Sequence, residues 1–204
     1  VVTEDETFLG RTRDIGVMSH EEARFMGAIG PTARASGLDR DVRVDAPYAG
    51  YPLFPVNLVT ETAGDLKAGF VVRIRELYES YRVIREICAN LPESELSVKV
   101  PRRIPAGETI CRVEAPRGEL FYYMKSDGSD KPERVKVRTP SLCNWISVLN
   151  TSIGHKLADM PMLLAGLDPC FSCNDRMVEI RSDSKPPQMM NWDGLRNYGI
   201  EYYR

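Results

Sequence analysis

Two cysteines, Cys170 and Cys173, stand three positions apart in the stretch Asp168-Pro169-Cys170-Phe171-Ser172-Cys173-Asn174-Asp175-Arg176. A tight turn puts two thiols at this spacing on one side, where they can share a metal ion or cluster. Three chemistries compete. A structural zinc site needs about four ligands, but the chain has no second Cys-x-x-Cys, and Cys88, Cys111 and Cys143 lie singly in helical or strand patterns. A thioredoxin-like dithiol opens a helix directly after a strand, whereas this pair follows Asp168-Pro169 with no βαβ unit around it. The third reading is two inert thiols in a packed turn, because free cysteine often serves as core. Residue types alone leave these three open.

The elements that must position this loop read as follows. Ser19-His20-Glu21-Glu22 is a capping box opening a short helix to about Gly27. Gly30-Pro31 stops that helix or starts the next, and the small residues of 32–38 imply close-packed backbone. Residues 39–55 are loop-like. Leu66, Phe70, Ile74, Leu77, Tyr81, Ile84, Cys88 and Leu91 form one apolar stripe, which predicts a long helix over 64–91 ended by Pro92. Cys88 falls on that stripe and is expected in the core. A helix with such a seam packs lengthwise on other helices. This chain offers few, so other subunits or missing segments are expected to supply them. Strands are predicted over 109–113, 120–125 and 134–138, giving a small antiparallel sheet. Thr139 caps a helix with Pro140 at its first position, running to about Leu149. A second helix is expected from about residue 152 or 155, then a turn over 161–165, and a short strand over 178–181. The fold class is α+β, mainly helical: long helices packing as a bundle plus a small antiparallel β-sheet. Residues 1–181 form the main domain and 182–204 a C-terminal tail.

The 204 residues carry a net charge of −2 and 43% hydrophobic residues. No bulk basic field argues for nucleic acid, and no apolar run is long enough to cross a membrane. Five scattered cysteines do not make a secreted disulfide framework. A reducing cytoplasm suits them better. His20 is expected at a helix start, and His155 in the core or on the surface.

The nonapeptide resembles the C-terminal motif of the nickel–iron hydrogenase large subunit, Asp-Pro-Cys-x-x-Cys-x-x-His/Arg. Its Arg ending, with Ser172 and Asp175 inside, resembles the membrane-bound, energy-converting group, which is related to the large peripheral subunit of respiratory complex I. The corresponding complex I loop lacks the two cysteines. Three more stretches carry the resemblance in the same order along the chain: Gly30 to Gly37 with Asp41-Val42-Arg43, Glu114-Ala115-Pro116-Arg117-Gly118-Glu119, and Arg138-Thr139-Pro140-Ser141-Leu142-Cys143-Asn144-Trp145. It covers residues 10–180.

The resemblance implies a NiFe(CN)2(CO) centre. Cys170 would be a terminal nickel ligand and Cys173 a bridge between nickel and iron, since soft thiolates suit redox-active metals. Arg117 would sit over the open nickel position and toward one cyanide. Ser141, with the Pro140–Ser141 backbone, would hydrogen-bond the other. Asp168 would orient Arg117 or the loop. The bland alternatives are a turn salt bridge for Arg117 and a first-turn helix serine for Ser141. The family's other Cys-x-x-Cys pair and its proton-relaying glutamate have no counterpart here. The chain is therefore expected to be a C-terminal portion that is inactive until a second chain or segment supplies that pair. Many family members are cut after the motif, a cut that would fall between Arg176 and Met177; some energy-converting members are not.

The implied partners are a hydrogenase small subunit with iron–sulfur clusters, including a 4Fe–4S cluster, and membrane subunits that translocate ions. The implied location is peripheral, on the cytoplasmic side of the cell membrane. The implied reaction is reversible hydrogen oxidation and proton reduction. The alternatives are a complex I-like oxidoreductase subunit reducing quinone or sulfur without nickel, and a non-catalytic scaffold subunit.

Overall fold

The structure is a computed structural model and describes residues 4–91, 93, 95–101, 103–175 and 192–202. It divides into two compact units, Val1–Cys173 and Asn174–Arg204. In the first unit, four short helices come first: α1 (Glu6–Thr12), α2 (His20–Phe25), α3 (Gly30–Arg34) and α4 (Val42–Asp45). The capping box on α2 forms as expected: Glu22 N–H donates to Ser19 Oγ at 3.2 Å, and Ser19 N–H donates to Glu22 Oε2 at 2.9 Å. Pro31 starts α3, where proline's missing N–H costs nothing.

The long helix is present as α5 (Leu66–Ala89), capped by Asp65, which accepts from Ala68 N–H at 2.8 Å. Its orientation differs from the expected one. The buried face is Ala68, Gly69, Val72 and Val83, whereas Leu77, Tyr81 and Ile84 on the predicted stripe are each more than half exposed. Cys88 is also exposed, not core. The physical reason is close approach: Ala68 and Val72 pack against Ala35 and Val59, and small side chains let the α3 backbone come near. Larger side chains cannot serve that contact, so they face outward.

The 55–57 loop is tied to α5 by charge. Glu79 accepts from Asn57 N–H at 2.7 Å and from Arg82 Nε at 2.9 Å, while Arg82 also reaches Pro55 O at 2.7 Å. The Arg82 and Asn57 bonds hold the Glu79 carboxyl down at about 2. A carboxyl depressed on folding adds stability above its ordinary pKa, and that stability is lost as pH falls toward the folded value. Wild type should therefore lose on the order of 1 kcal/mol between about pH 5 and pH 2 from this group, after solvent screening. Denaturant titrations of Glu79→Gln should show that loss removed.

A three-stranded antiparallel meander follows: β1 (Gly107–Ala115), β2 (Gly118–Ser126) and β3 (Pro132–Arg138). Ala115 pairs with Gly118, so only Pro116 and Arg117 make the β1–β2 turn. Then α6 (Pro140–Ser152), a 3-10 turn (Leu157–Asp159) and α7 (Met160–Leu167) lead to a short α8 (Phe171–Asn174). Residues 161–165, expected as a turn, lie inside α7. Leu163 and Leu167 of α7 are almost fully buried. The architecture is α+β and mainly helical, as expected. Among the described residues no helix is long and apolar enough to cross a membrane.

In the second unit, α9 (Trp192–Tyr202) lies within the stretch expected as the C-terminal tail. The strand expected over 178–181 and the 176–177 junction lie outside the described residues.

Candidate functional site

The cysteine turn begins where α7 stops. Its C-cap is Asp168, a non-glycine residue in the left-handed region at φ 55 and ψ 62. Pro169 follows, then Cys170 and the single turn of α8. Cys173 N–H donates to Cys170 O at 3.1 Å, which folds both half-buried thiols onto one turn. The Cys170 thiol is pulled below its ordinary pKa, first by the Cys173 backbone N–H, then by the Cys173 thiol, with smaller help from Ser172 and the Arg117 charge. A thiol so placed gives up its proton more easily than an ordinary one, which favours metal ligation.

The start of α6 grips this turn twice. Ser141 Oγ accepts from Cys170 N–H at 3.1 Å. Thr139 Oγ1 donates to Cys173 O at 2.9 Å. Thr139 sits at the N-cap as expected, but its side chain makes no capping bond; the cysteine turn takes it instead. Ser141 and Pro140 are fully buried. The Ser141 oxygen accepts from Cys170, so its hydroxyl hydrogen is not used in that bond.

Arg117 comes from the other side. Its Nε donates to Asp168 O at 2.5 Å and its Nη2 to Asp168 Oδ1 at 2.9 Å. This fork onto one residue fixes the guanidinium and the left-handed backbone together. The Pro116-Arg117 turn is itself clamped. Asn144, with no exposed surface, accepts from Ile29 N–H at 3.0 Å and donates to Ile29 O at 3.1 Å and Arg117 O at 3.4 Å. Gly30, at φ +63, faces Gly118 so closely that an added Cβ would lie 2.4 Å from Gly118 Cα. Gly30→Ala should therefore cost more than about 1 kcal/mol from backbone conformation alone, with the clash on top. A denaturant midpoint unchanged by the substitution would contradict this.

Behind the Arg117 turn lies a buried ion cluster that the sequence did not reveal. Arg34, 1% exposed, meets Glu76 at 2.6 Å, Glu114 at 2.9 Å and Asp41 at 3.4 Å. Arg43 pairs with Asp41 at 2.6 Å. Arg34 donates also to Arg40 O, and Val42 N–H donates to Glu114 Oε2. The one clue was an arginine inside the small-residue run 32–38.

The structure thus brings Arg117, Pro140, Ser141, Cys170 and Cys173 to one place, with Asn144, Thr139 and Asp168 as supports. It does not bring the other cysteines there as a set. Cys111 and Cys88 are exposed, and Cys143 is half-buried on α6. Among the described residues no group of three or more His, Cys, Asp or Glu is placed to hold a metal. His155 is neither core nor free surface: its Nε2 accepts from Gly16 N–H at 3.2 Å. Arg11 donates to Ala158 O at 2.9 Å.

Comparison with known proteins fixes the lineage. Residues 1–104 and 98–176 match the family described as respiratory-chain NADH dehydrogenase, 49 Kd subunit. The chain belongs to this family. Relatives of this 49 Kd-family chain carry different names. It is 38% identical over 170 residues to a carbon monoxide-induced hydrogenase of Rhodospirillum rubrum, covering 83% of this chain and 47% of that protein. It is 39% identical over 178 residues to an NADH-quinone oxidoreductase subunit of Dehalococcoides mccartyi, covering 86% of this chain and 48% of that protein. A chain in the solved structure of the membrane-bound sulfane sulfur reductase, an archaeal respiratory membrane complex, superposes with a TM-score of 0.77 at 34% identity, covering 85% of this chain and 49% of that one. The chain spans about half the length of the relatives it matches. The resemblance read from the motifs therefore holds at the level of the complex I-related family.

Proposed function

We propose that this chain is part of the catalytic peripheral subunit of a complex I-related oxidoreductase, and that it contributes half of a nickel–iron site. The observation that carries this reading is the pairing of Cys170 and Cys173 on one turn, braced by Thr139 and Ser141 and faced by Arg117. The donor set suits the group. Two half-buried thiols, one of them acidified, can bind soft metals, and a buried hydroxyl with its hydrogen to give can meet a cyanide. Two further thiolates must come from a chain or segment carrying the other Cys-x-x-Cys pair.

When bound, a NiFe(CN)2(CO) centre would supply the redox chemistry that interconverts dihydrogen with two protons and two electrons. The chain's own residues do the rest. Cys170 and Cys173 hold the metals. Ser141 and the Pro140–Ser141 backbone orient a diatomic ligand. Arg117, fixed by Asp168, places a permanent positive charge beside the reacting position, where fixed charge stabilises charge that develops in the reaction. Electrons would come from an iron–sulfur small subunit with a 4Fe–4S cluster. Ion translocation would fall to membrane subunits, with this chain peripheral on the cytoplasmic side.

A second reading has support from the relatives named as an NADH-quinone oxidoreductase subunit and from the sulfane sulfur reductase neighbour. In it the same scaffold serves quinone or sulfur reduction without nickel. Metal analysis and infrared spectroscopy of the intact complex separate the two. One nickel per complex, together with carbon monoxide and cyanide bands, both lost in Cys170→Ser and Cys173→Ser, is the expected result. An active complex with neither nickel nor bands would transfer the function to the second reading.

A further inference from the structure

The ion cluster behind Arg117 is unevenly bonded. Asp41, Glu76 and Glu114 bring three carboxylates, whereas Arg34 and Arg43 bring two guanidiniums. Arg73 lies nearby but donates to the carbonyls of Gly69 at 3.1 Å and Leu167 at 3.4 Å, not to these carboxylates. Arg73 acts on Glu76 by charge alone, so two guanidiniums bond three carboxylates in a largely buried setting. A carboxylate held there by few bonds takes up a proton more easily, because burying charge is expensive. These groups also face a pocket of about 400 Å³. Its wall contains Arg34, Arg43, Arg73, Glu76 and Glu114 and runs along Ala115 and Pro116 to Asp168, the residue gripped by Arg117. Leu77, half exposed, puts its mouth at the surface. At about 30 Å³ per water molecule the pocket has room for several waters in contact.

We propose that Glu114 is a proton-transfer residue, passing protons through this pocket between bulk solvent and the Arg117–Asp168 edge of the cysteine turn. Glu114 takes a proton from the solvent-side water, becomes neutral, and gives it up to water on the other side; no electron moves at Glu114. Arg34 from α3, and the Val42 N–H and Arg43 from α4, favour its charged form, whereas Asp41 at the α4 N-cap favours the neutral one; Arg73 and Glu76 of α5 share the pocket wall. Tyr48 Oη accepts from its backbone N–H at 3.1 Å. Burial, the largest influence, pushes its carboxyl up, against the Arg34 charge. The inference rests on the proposed function only in requiring a reaction that takes up protons, and hydrogen formation, quinone reduction and sulfur reduction all do.

The test uses the intact complex with whichever acceptor it reduces. Glu114→Gln should slow steady turnover by about 10²-fold, enlarge the solvent deuterium isotope effect, and leave single-turnover reduction of the iron–sulfur partner unchanged. Without turnover, infrared spectra of wild type should show a protonated-carboxyl band, shifted in deuterium oxide and absent from the variant, that persists above the pH where exposed carboxylates have ionised. Wild-type turnover with an unchanged isotope effect, or absence of that band, would overturn the proposal. Should the Gln variant fail to assemble, Glu114→Asp decides. It keeps the charge toward Arg34 but is one methylene shorter, so it should raise the isotope effect; an unchanged isotope effect rejects the relay. Absence of nickel in wild type would remove the metal reading and leave this outcome intact.

Discussion

On the proposed function, replacing Arg117 with lysine should lower turnover of the assembled complex by about 10²–10³-fold. The size follows from geometry rather than charge. Arginine donates from Nε to the Asp168 carbonyl and from Nη2 to its carboxylate at the same time. A lysine ammonium is a mobile point charge and cannot make that planar fork. It leaves the left-handed residue unbraced and moves the cation away from the thiols. Assembly should survive, because the hairpin turn is set by Gly30, Gly118 and Asn144 rather than by the arginine side chain. Steady-state rates with subunit content measured in parallel decide this. A lysine variant near wild-type rate would remove Arg117 from the reacting site and leave it as a surface salt bridge.

Arg34→Met destabilises the chain by about 3–5 kcal/mol, because breaking a buried ion pair from one side strands its partners. Here one guanidinium serves Glu76, Glu114 and Asp41. Arg43 bonds only Asp41 of the three. At about 2–4 °C per kcal/mol for a chain of this size, the melting temperature falls by roughly 10 °C. Thermal unfolding followed by circular dichroism measures it. Adding Glu114→Gln to Arg34→Met should recover part of the loss, since the two residues touch and their effects cannot be additive. A fully additive double variant would mean that the ion pair carries no coupling.

What could be read from the sequence was what is encoded locally. The Ser19 capping box, the span of α5, the three strands and the proline start of α6 each depend on neighbours a few residues away. Such signals survive in any tertiary setting. The inward face of α5 did not. Periodicity marks an apolar stripe, but Ala68, Gly69 and Val72 win the interior because small residues permit close approach. Thr139 was legible as a cap by position, yet its hydroxyl serves Cys173, which is 34 residues away. The Arg34 cluster joins α3, α4, α5 and β1, and no window of sequence contains it. The gathering of Arg117, Ser141, Cys170 and Cys173 was implied by motif resemblance alone, and no spacing rule within the chain would have supplied it.

Asp168 shows how such a site sits against selection for folding. A helix ending in the left-handed region is normally closed by glycine, and a side chain there costs energy that glycine would not. At φ 55 this position carries aspartate, the carboxylate that Arg117 grips. A sequence drifting toward greater stability would gain by placing glycine at 168, and would lose the anchor of the guanidinium in the same step. Stabilising consensus engineering of this chain therefore has one position where the substitution favoured by the backbone is the wrong one.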